Sequence, residues 1–248
     1  MNIRTSLFSI FSLLLLSACA GSSLPVMGER TCIAVDVEEL SGLCLNKAGT
    51  AMIACGDQGV VKTVTFTGFV LTLWEHYADL EGVTVDPRTG DLYLAAEWDQ
   101  KIYRLSAPDY TDHSTMFYVQ DAVDGDYRNG GLEGVEYYKD DMLFVGSQEN
   151  AYLWIYKTDG TLVSRTSVSD FATEIAGMCY DPVSDRLWIV DSNTAMLHLC
   201  TPEGALITSY SVEGIENAES VCVDRERDCV WVGSDEENPK IYKIEFKF

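Results

Sequence analysis

The chain has 248 residues, 47% of them hydrophobic, and a formal charge of -22. That is enough apolar material for one large β domain or two smaller ones, so disorder is not expected. The acidity excludes a phosphate backbone as partner and favours cations.

The first segment reads as an export signal. "MNIRTSLFSIFSLLLLSACAGSS" carries Arg4, an apolar run from about Leu7 to Leu16, and small residues after it. The run is too short to span a bilayer as a mature helix. Leu16-Ser17-Ala18-Cys19 looks like a lipobox, in which Cys19 is acylated and becomes the mature first residue. An ordinary signal peptide cleaved nearby is the other reading. With Cys19 lipidated, residues 1–18 are the signal, 19–30 a tether and 31–248 the folded domain. Ala20 after the cysteine points to the outer membrane of a diderm envelope, with membrane contact through the acyl chains alone.

Seven cysteines follow: Cys32, Cys44, Cys55, Cys179, Cys200, Cys222 and Cys229. An odd count cannot pair completely, and one or two disulfides are left open. Cys44, Cys179 and Cys222 fall at matching places within apolar runs and read as small buried hydrophobes.

The next strand, "TCIAVDV" (31–37), precedes a set of five similar segments. These are "ELSGLCLNKAGTAMIACGD" from Glu39, "DLEGVTVDPRTGDLYLAAE" from Asp79 and "GLEGVEYYKDDMLFVGSQE" from Gly131. They continue with "EIAGMCYDPVSDRLWIVD" from Glu174 and "NAESVCVDRERDCVWVGSD" from Asn217. Their landmarks, Gly42, Gly82, Gly134, Gly177 and Ser220, recur with a period of about 40, that of a β-propeller blade. In the fourth unit "GMCYD", "RLWIVD", "MLHLCT" and "ALITSYS" read as successive strands, divided by Pro, Gly, Asn and Asp turns. The fifth unit has only three, ending in "KIYKIEFKF". The spacing therefore predicts an all-β, five-bladed β-propeller whose N-terminal strand closes the last blade. An insertion near 108–131 lengthens one step; its "DAVDGDYRNGG" lacks EF-hand spacing and reads as a solvated turn.

The segments "DLEGVTVDPRTGDLYLAAE", "EIAGMCYDPVSDRLWIVD" and "NAESVCVD" resemble the SdiA-regulated family of bacterial propellers, distantly similar to NHL-repeat proteins. The resemblance implies five blades and a calcium site. Ser220 stands at the glycine position, and Ser41 and Ala176 replace an acid beside it, so a five-fold ring of identical ligands is excluded.

Inner strands of a propeller enter around a common axis. Glu81, Glu133 and Glu219 precede the landmark at one equivalent point, and Asp57, Glu97, Glu149, Asp191 and Asp235 close the second strand. Converging carboxylates repel unless protonated or bridged by a cation. The expected metal ligands are Glu81, Glu133 and Glu219, then Glu97 and Glu149, for Ca²⁺. Backbone capping by the same acids is the alternative.

No histidine lies in a catalytic motif, and the tryptophans other than Trp98 read as packing. The expectation is a monomeric, lipid-anchored Ca²⁺-binding interaction module rather than an enzyme, with an envelope protein or glycan as partner. The alternative is a metal-assisted hydrolase, lactonase- or phosphoesterase-like, using the channel ion.

Overall fold

The computed structural model describes residues 24–119 and 130–248; "DAVDGDYRN" and the signal segment with Cys19 lie outside them. Five four-stranded antiparallel sheets form the blades. Blade 1 holds β2 (Leu40–Leu45), β3 (Met52–Gly56), β4 (Val60–Val64) and β5 (Val70–Glu75). Blade 2 holds β6 (Leu80–Val85), β7 (Leu92–Ala96), β8 (Lys101–Leu105) and β9 (His113–Tyr118). Blade 3 is built from β10 (Leu132–Tyr138), β11 (Met142–Ser147), β12 (Tyr152–Lys157) and β13 (Leu162–Ser167). Blade 4 comprises β14 (Gly177–Asp181), β15 (Arg186–Asp191), β16 (Met196–Cys200) and β17 (Leu206–Ser211). Blade 5 contributes β18 (Ala218–Asp224), β19 (Cys229–Ser234) and β20 (Lys240–Lys247).

The missing outer strand of blade 5 is β1 (Val26–Ala34), antiparallel to β20 with Cys32 opposite Tyr242. It starts before the predicted "TCIAVDV", because pairing resumes beyond an irregularity between Met27 and Arg30. Each innermost strand packs on the next, and β18 returns onto β2.

The core is distributed among five wedges between adjacent blades rather than gathered in one centre. Between blades 4 and 5, for example, Trp188 packs against Val221, Val230 and Phe246. Alternation explains this: successive residues of a strand face opposite neighbours. Trp154, Trp188 and Trp231 are buried there as packing residues, whereas Trp98 is exposed. All seven described cysteines are free thiols, and six are buried.

The landmark glycines let the inner strands approach one another closely at the axis. A Cβ on Gly177 would sit 2.4 Å from the Glu219 carbonyl oxygen and 2.9 Å from Ser220 Cα. Neither backbone can yield without opening the ring. G177A is expected to lower unfolding free energy by about 3 kcal/mol in urea titration, the upper end for overpacking; a loss under about 1 kcal/mol would contradict this waist.

Candidate metal centre

Four of the five inner strands carry a register irregularity immediately before the landmark. It falls between Leu40 and Gly42, Leu80 and Gly82, Leu132 and Gly134, and Ala218 and Ser220. The bulged residues are Ser41, Glu81, Glu133 and Glu219. A bulge leaves its residue out of the ladder and re-aims the side chain, and here it turns them into the mouth of the central channel. Because the first two strands of a blade are antiparallel, the end of the second strand returns to the same mouth.

Members of both predicted sets therefore meet. Asp57, Asp79, Glu81, Glu97, Glu133, Glu219 and Asp235 line one cavity of about 350 Å³, with no basic side chain among its walls. Glu149 is exposed outside this lining. Asp191 is fully buried and caps its own blade: it accepts hydrogen bonds from the Thr173 amide at 2.7 Å and the Thr194 amide at 3.0 Å. Burial opposes its ionisation, but those bonds and His198 hold its pKa at about 2.

Glu97 does both jobs. It faces the mouth while its Oε1 accepts the amides of Gly130 and Gly131, at 2.7 and 2.8 Å. Capping and a share in the cavity thus coexist in one side chain.

Within the mouth, one carboxylate oxygen from each of Asp57, Asp79 and Glu81 lies within 4.8 Å of the others. Two oxygens about 2.3–2.6 Å from a shared Ca²⁺ span that distance. Ser41 donates its hydroxyl to Asp57 Oδ1, so the serine that breaks the acidic pattern orients a ligand-bearing neighbour. The trio joins blade 1 to blade 2. Asp79, absent from the predicted ligands, had a readable signal: acids recur three residues before the landmark as Glu39, Asp79 and Glu174.

The electrostatics are those of an uncompensated acidic pocket. Burial, then Asp57, Asp79 and Glu97, push Glu81 well above the carboxylate range. Burial with Asp57 and Glu97 raises Asp79 to about 7, and burial raises Asp57 to about 6 against the Ser41 hydrogen bond. Glu133 is likewise raised by burial and by Glu81, and Glu219 reaches about 7 through burial, with Glu174 and Asp235 adding to it. These acids hold protons or demand a cation near neutral pH.

Below the mouth the channel narrows to a void of about 10 Å³ between the landmark residues. Beyond that waist lies a second cavity of about 590 Å³, lined in part by Cys44, Thr84, Glu136, Cys179 and Cys222.

Among solved structures, the chain is similar to a gluconolactonase from Xanthomonas campestris at 12% identity. The TM-score is 0.58, over 92% of this chain and 96% of that one. A nidogen/laminin complex matches at 14% identity and TM-score 0.57, covering 86% of each chain. A virginiamycin B lyase from Staphylococcus aureus matches at 14% and 0.52, over 83% of this chain and 66% of that one. Identities this low establish the fold. The expectation of a non-enzymatic module is nevertheless corrected: propellers of this shape include a lactonase and a lyase, and the mouth holds three carboxylates placed so that they could coordinate a metal ion. That expectation rested on the lack of a recurring histidine as base, whereas burial tunes the mouth's own carboxyls to neutrality. No curated protein sequence matches the chain. The model of the SdiA-regulated family matches residues 162–247, from β13 through β20, within the region where the sequence resemblance was drawn.

Proposed function

We propose that this protein is a metal-dependent hydrolase that opens a lactone or ester at the carboxylate mouth, with Ca²⁺ as its ion. The observation that carries the reading is the Asp57–Asp79–Glu81 oxygen cluster, set in a cavity without basic walls. All-oxygen donors of mixed reach suit Ca²⁺, which accepts about 6–8 oxygens in irregular geometry. Held by these residues, such an ion would supply Lewis acidity toward a substrate carbonyl and a neighbouring water.

The chain's remaining acids supply proton movement. Glu219, with a pKa of about 7, matches what a general acid–base needs at neutral pH, and Ser192 Oγ donates to its Oε1 at 3.1 Å to fix its orientation. Glu97, tied to Gly130 and Gly131, holds its wall of the mouth in place. Seven carboxylates with no basic side chain outweigh a single divalent ion and disfavour a phosphoester, so the favoured substrate is neutral.

The match over residues 162–247 supports reading the whole ring as an SdiA-regulated propeller. The Leu16–Cys19 pattern supports outer-membrane attachment through acyl chains on Cys19. No helix of the described residues is long and apolar enough to cross a membrane.

The test is turnover of a panel of lactones and acyl esters, with Ca²⁺ and with a chelator. Divalent-dependent ring opening is expected, and D79N should lower it by about a hundredfold or more, the scale of losing electrostatic stabilisation. Equal turnover in chelator, or none above the D79N background, sinks the reading.

A further inference from the structure

The far cavity has a chemistry opposite to that of the mouth. Its floor is a ring of five side chains, each two residues past a landmark: Cys44, Thr84, Glu136, Cys179 and Cys222. Three of these side chains latch onto the next blade through the same bond. Thr84 Oγ1 accepts the Tyr137 amide at 3.0 Å, Glu136 Oε1 accepts the Tyr180 amide at 3.1 Å, and Cys179 Sγ accepts the Val223 amide at 3.2 Å. A latch needs an acceptor but not sulfur, as Thr84 and Glu136 demonstrate. Sulfur occupies the position in three consecutive blades: 4, 5 and 1.

The Cys179 and Cys222 thiols are in contact with each other, on equivalent positions of adjacent inner strands. Both are buried from bulk solvent yet border the cavity. The structure assigns to this pair a two-coordinate thiolate site for a soft monovalent d¹⁰ cation, Cu⁺, at the floor of the far cavity. Thiolates select such ions over hard ones. The coordination number follows from geometry: among the described residues, the mouth trio is the only group of three ligand atoms drawn within 4.8 Å. A tetrahedral ion such as Zn²⁺ lacks its third and fourth ligands here, whereas Cu⁺ is satisfied by two sulfurs.

The step balances as Cu⁺ plus two thiols giving a bis(thiolate) complex and two protons, with no change of oxidation state. Both thiols lie above the ordinary range: Cys179 through its contact with Cys222 and through burial, Cys222 because the lowering contact with Cys179 is outweighed by burial and the neighbouring Cys44 and Glu136. The empty site is therefore neutral and the protons are displaced on binding. The complex carries one negative charge. Lys47 and Lys139 stand at the wall of the same cavity and offset that charge.

The experiment is anaerobic titration of the reduced full chain against Cu⁺ held by bicinchoninate. Wild type should withdraw one equivalent, with apparent affinity falling about a hundredfold for each unit of pH lowered as two protons compete. C179T/C222T should withdraw none. Threonine already fills this ring position at Thr84, so the latch is kept, and an unchanged circular dichroism spectrum checks the fold. Should the double variant not fold, C179T and C222T singly must each abolish binding. C200S/C229S should still withdraw one equivalent. No withdrawal by wild type overturns the assignment. So does retention by C179T/C222T, which would mark an adventitious ion only, on the other thiols. Recovery of Cys179 joined to Cys222 as a disulfide in protein taken directly from cells also overturns it.

Discussion

The triple variant D57N/D79N/E81Q should melt at one temperature whether Ca²⁺ or chelator is present, whereas the parent protein should gain about 10 °C from Ca²⁺. An ion that binds only the closed ring stabilises it by about 4 kcal/mol at a thousand times its Kd. For a domain of this size each kcal/mol moves Tm by about 2–4 °C. The effect is large because the ion would bridge Asp57 of blade 1 to Asp79 and Glu81 of blade 2. The wedge between them is mainly apolar and is otherwise crossed by weak or exposed polar contacts such as Cys55 Sγ to the Leu80 carbonyl and Lys47 to the Arg88 carbonyl. In chelator the variant should melt higher than the parent, since amides neither repel one another nor need protonating. Differential scanning calorimetry checks both. An identical Ca²⁺ shift in the two proteins would remove the trio as ligands.

The second expected result is an inverted pH dependence for the metal-free protein: highest Tm near pH 4–5, falling steadily towards pH 8. Asp57, Asp79, Glu81, Glu133 and Glu219 all have folded pKa values above their unfolded ones. The folded state therefore binds more protons than the unfolded state between those limits. Their contribution is complete below the unfolded values and is lost as pH rises through about 6 to 7. Glu219 alone, moved from 4.5 to about 7, accounts for on the order of 3 kcal/mol. Asp191, held at about 2, acts in the other direction and destabilises the fold only in stronger acid. Saturating Ca²⁺ should flatten the profile at the mouth. Part of the slope should survive in D57N/D79N/E81Q, because Glu136 titrates in the same window at the far cavity. A Tm that rises from pH 5 to 8 in chelator would contradict the raised values.

The blades were readable because a period near 40 with regular turn punctuation has few other solutions. In the fourth unit β14, β15, β16 and β17 fall within a residue of the segments marked by their turns. Closure by the N-terminal strand followed from the one unit short of an outer strand. Equivalence about an axis also brought Glu81, Glu133 and Glu219 to one end. What stayed hidden was local geometry. The bulges before the landmarks leave no composition signal, yet they decide where those side chains point. Ser41 looked like a gap in the acidic pattern, and its hydroxyl instead orients Asp57. Cys44, Cys179 and Cys222 read as small hydrophobes because burial and cavity lining look alike in a hydrophobic run. Glu149 resembled Glu97 in sequence and parted from it because only Glu97 finds two glycine amides to anchor it.

Blade 5 is woven from residues 26–34 and 218–247. One of its four strands, β1, is separated along the chain from the other three by four complete blades. Without blade 5 neither axial cavity has all its walls, since Glu219 and Asp235 line one and Cys222 and Val223 the other. Both axial cavities are thus completed only once strands far apart in sequence share a single sheet, so either one reports whether the circle has shut.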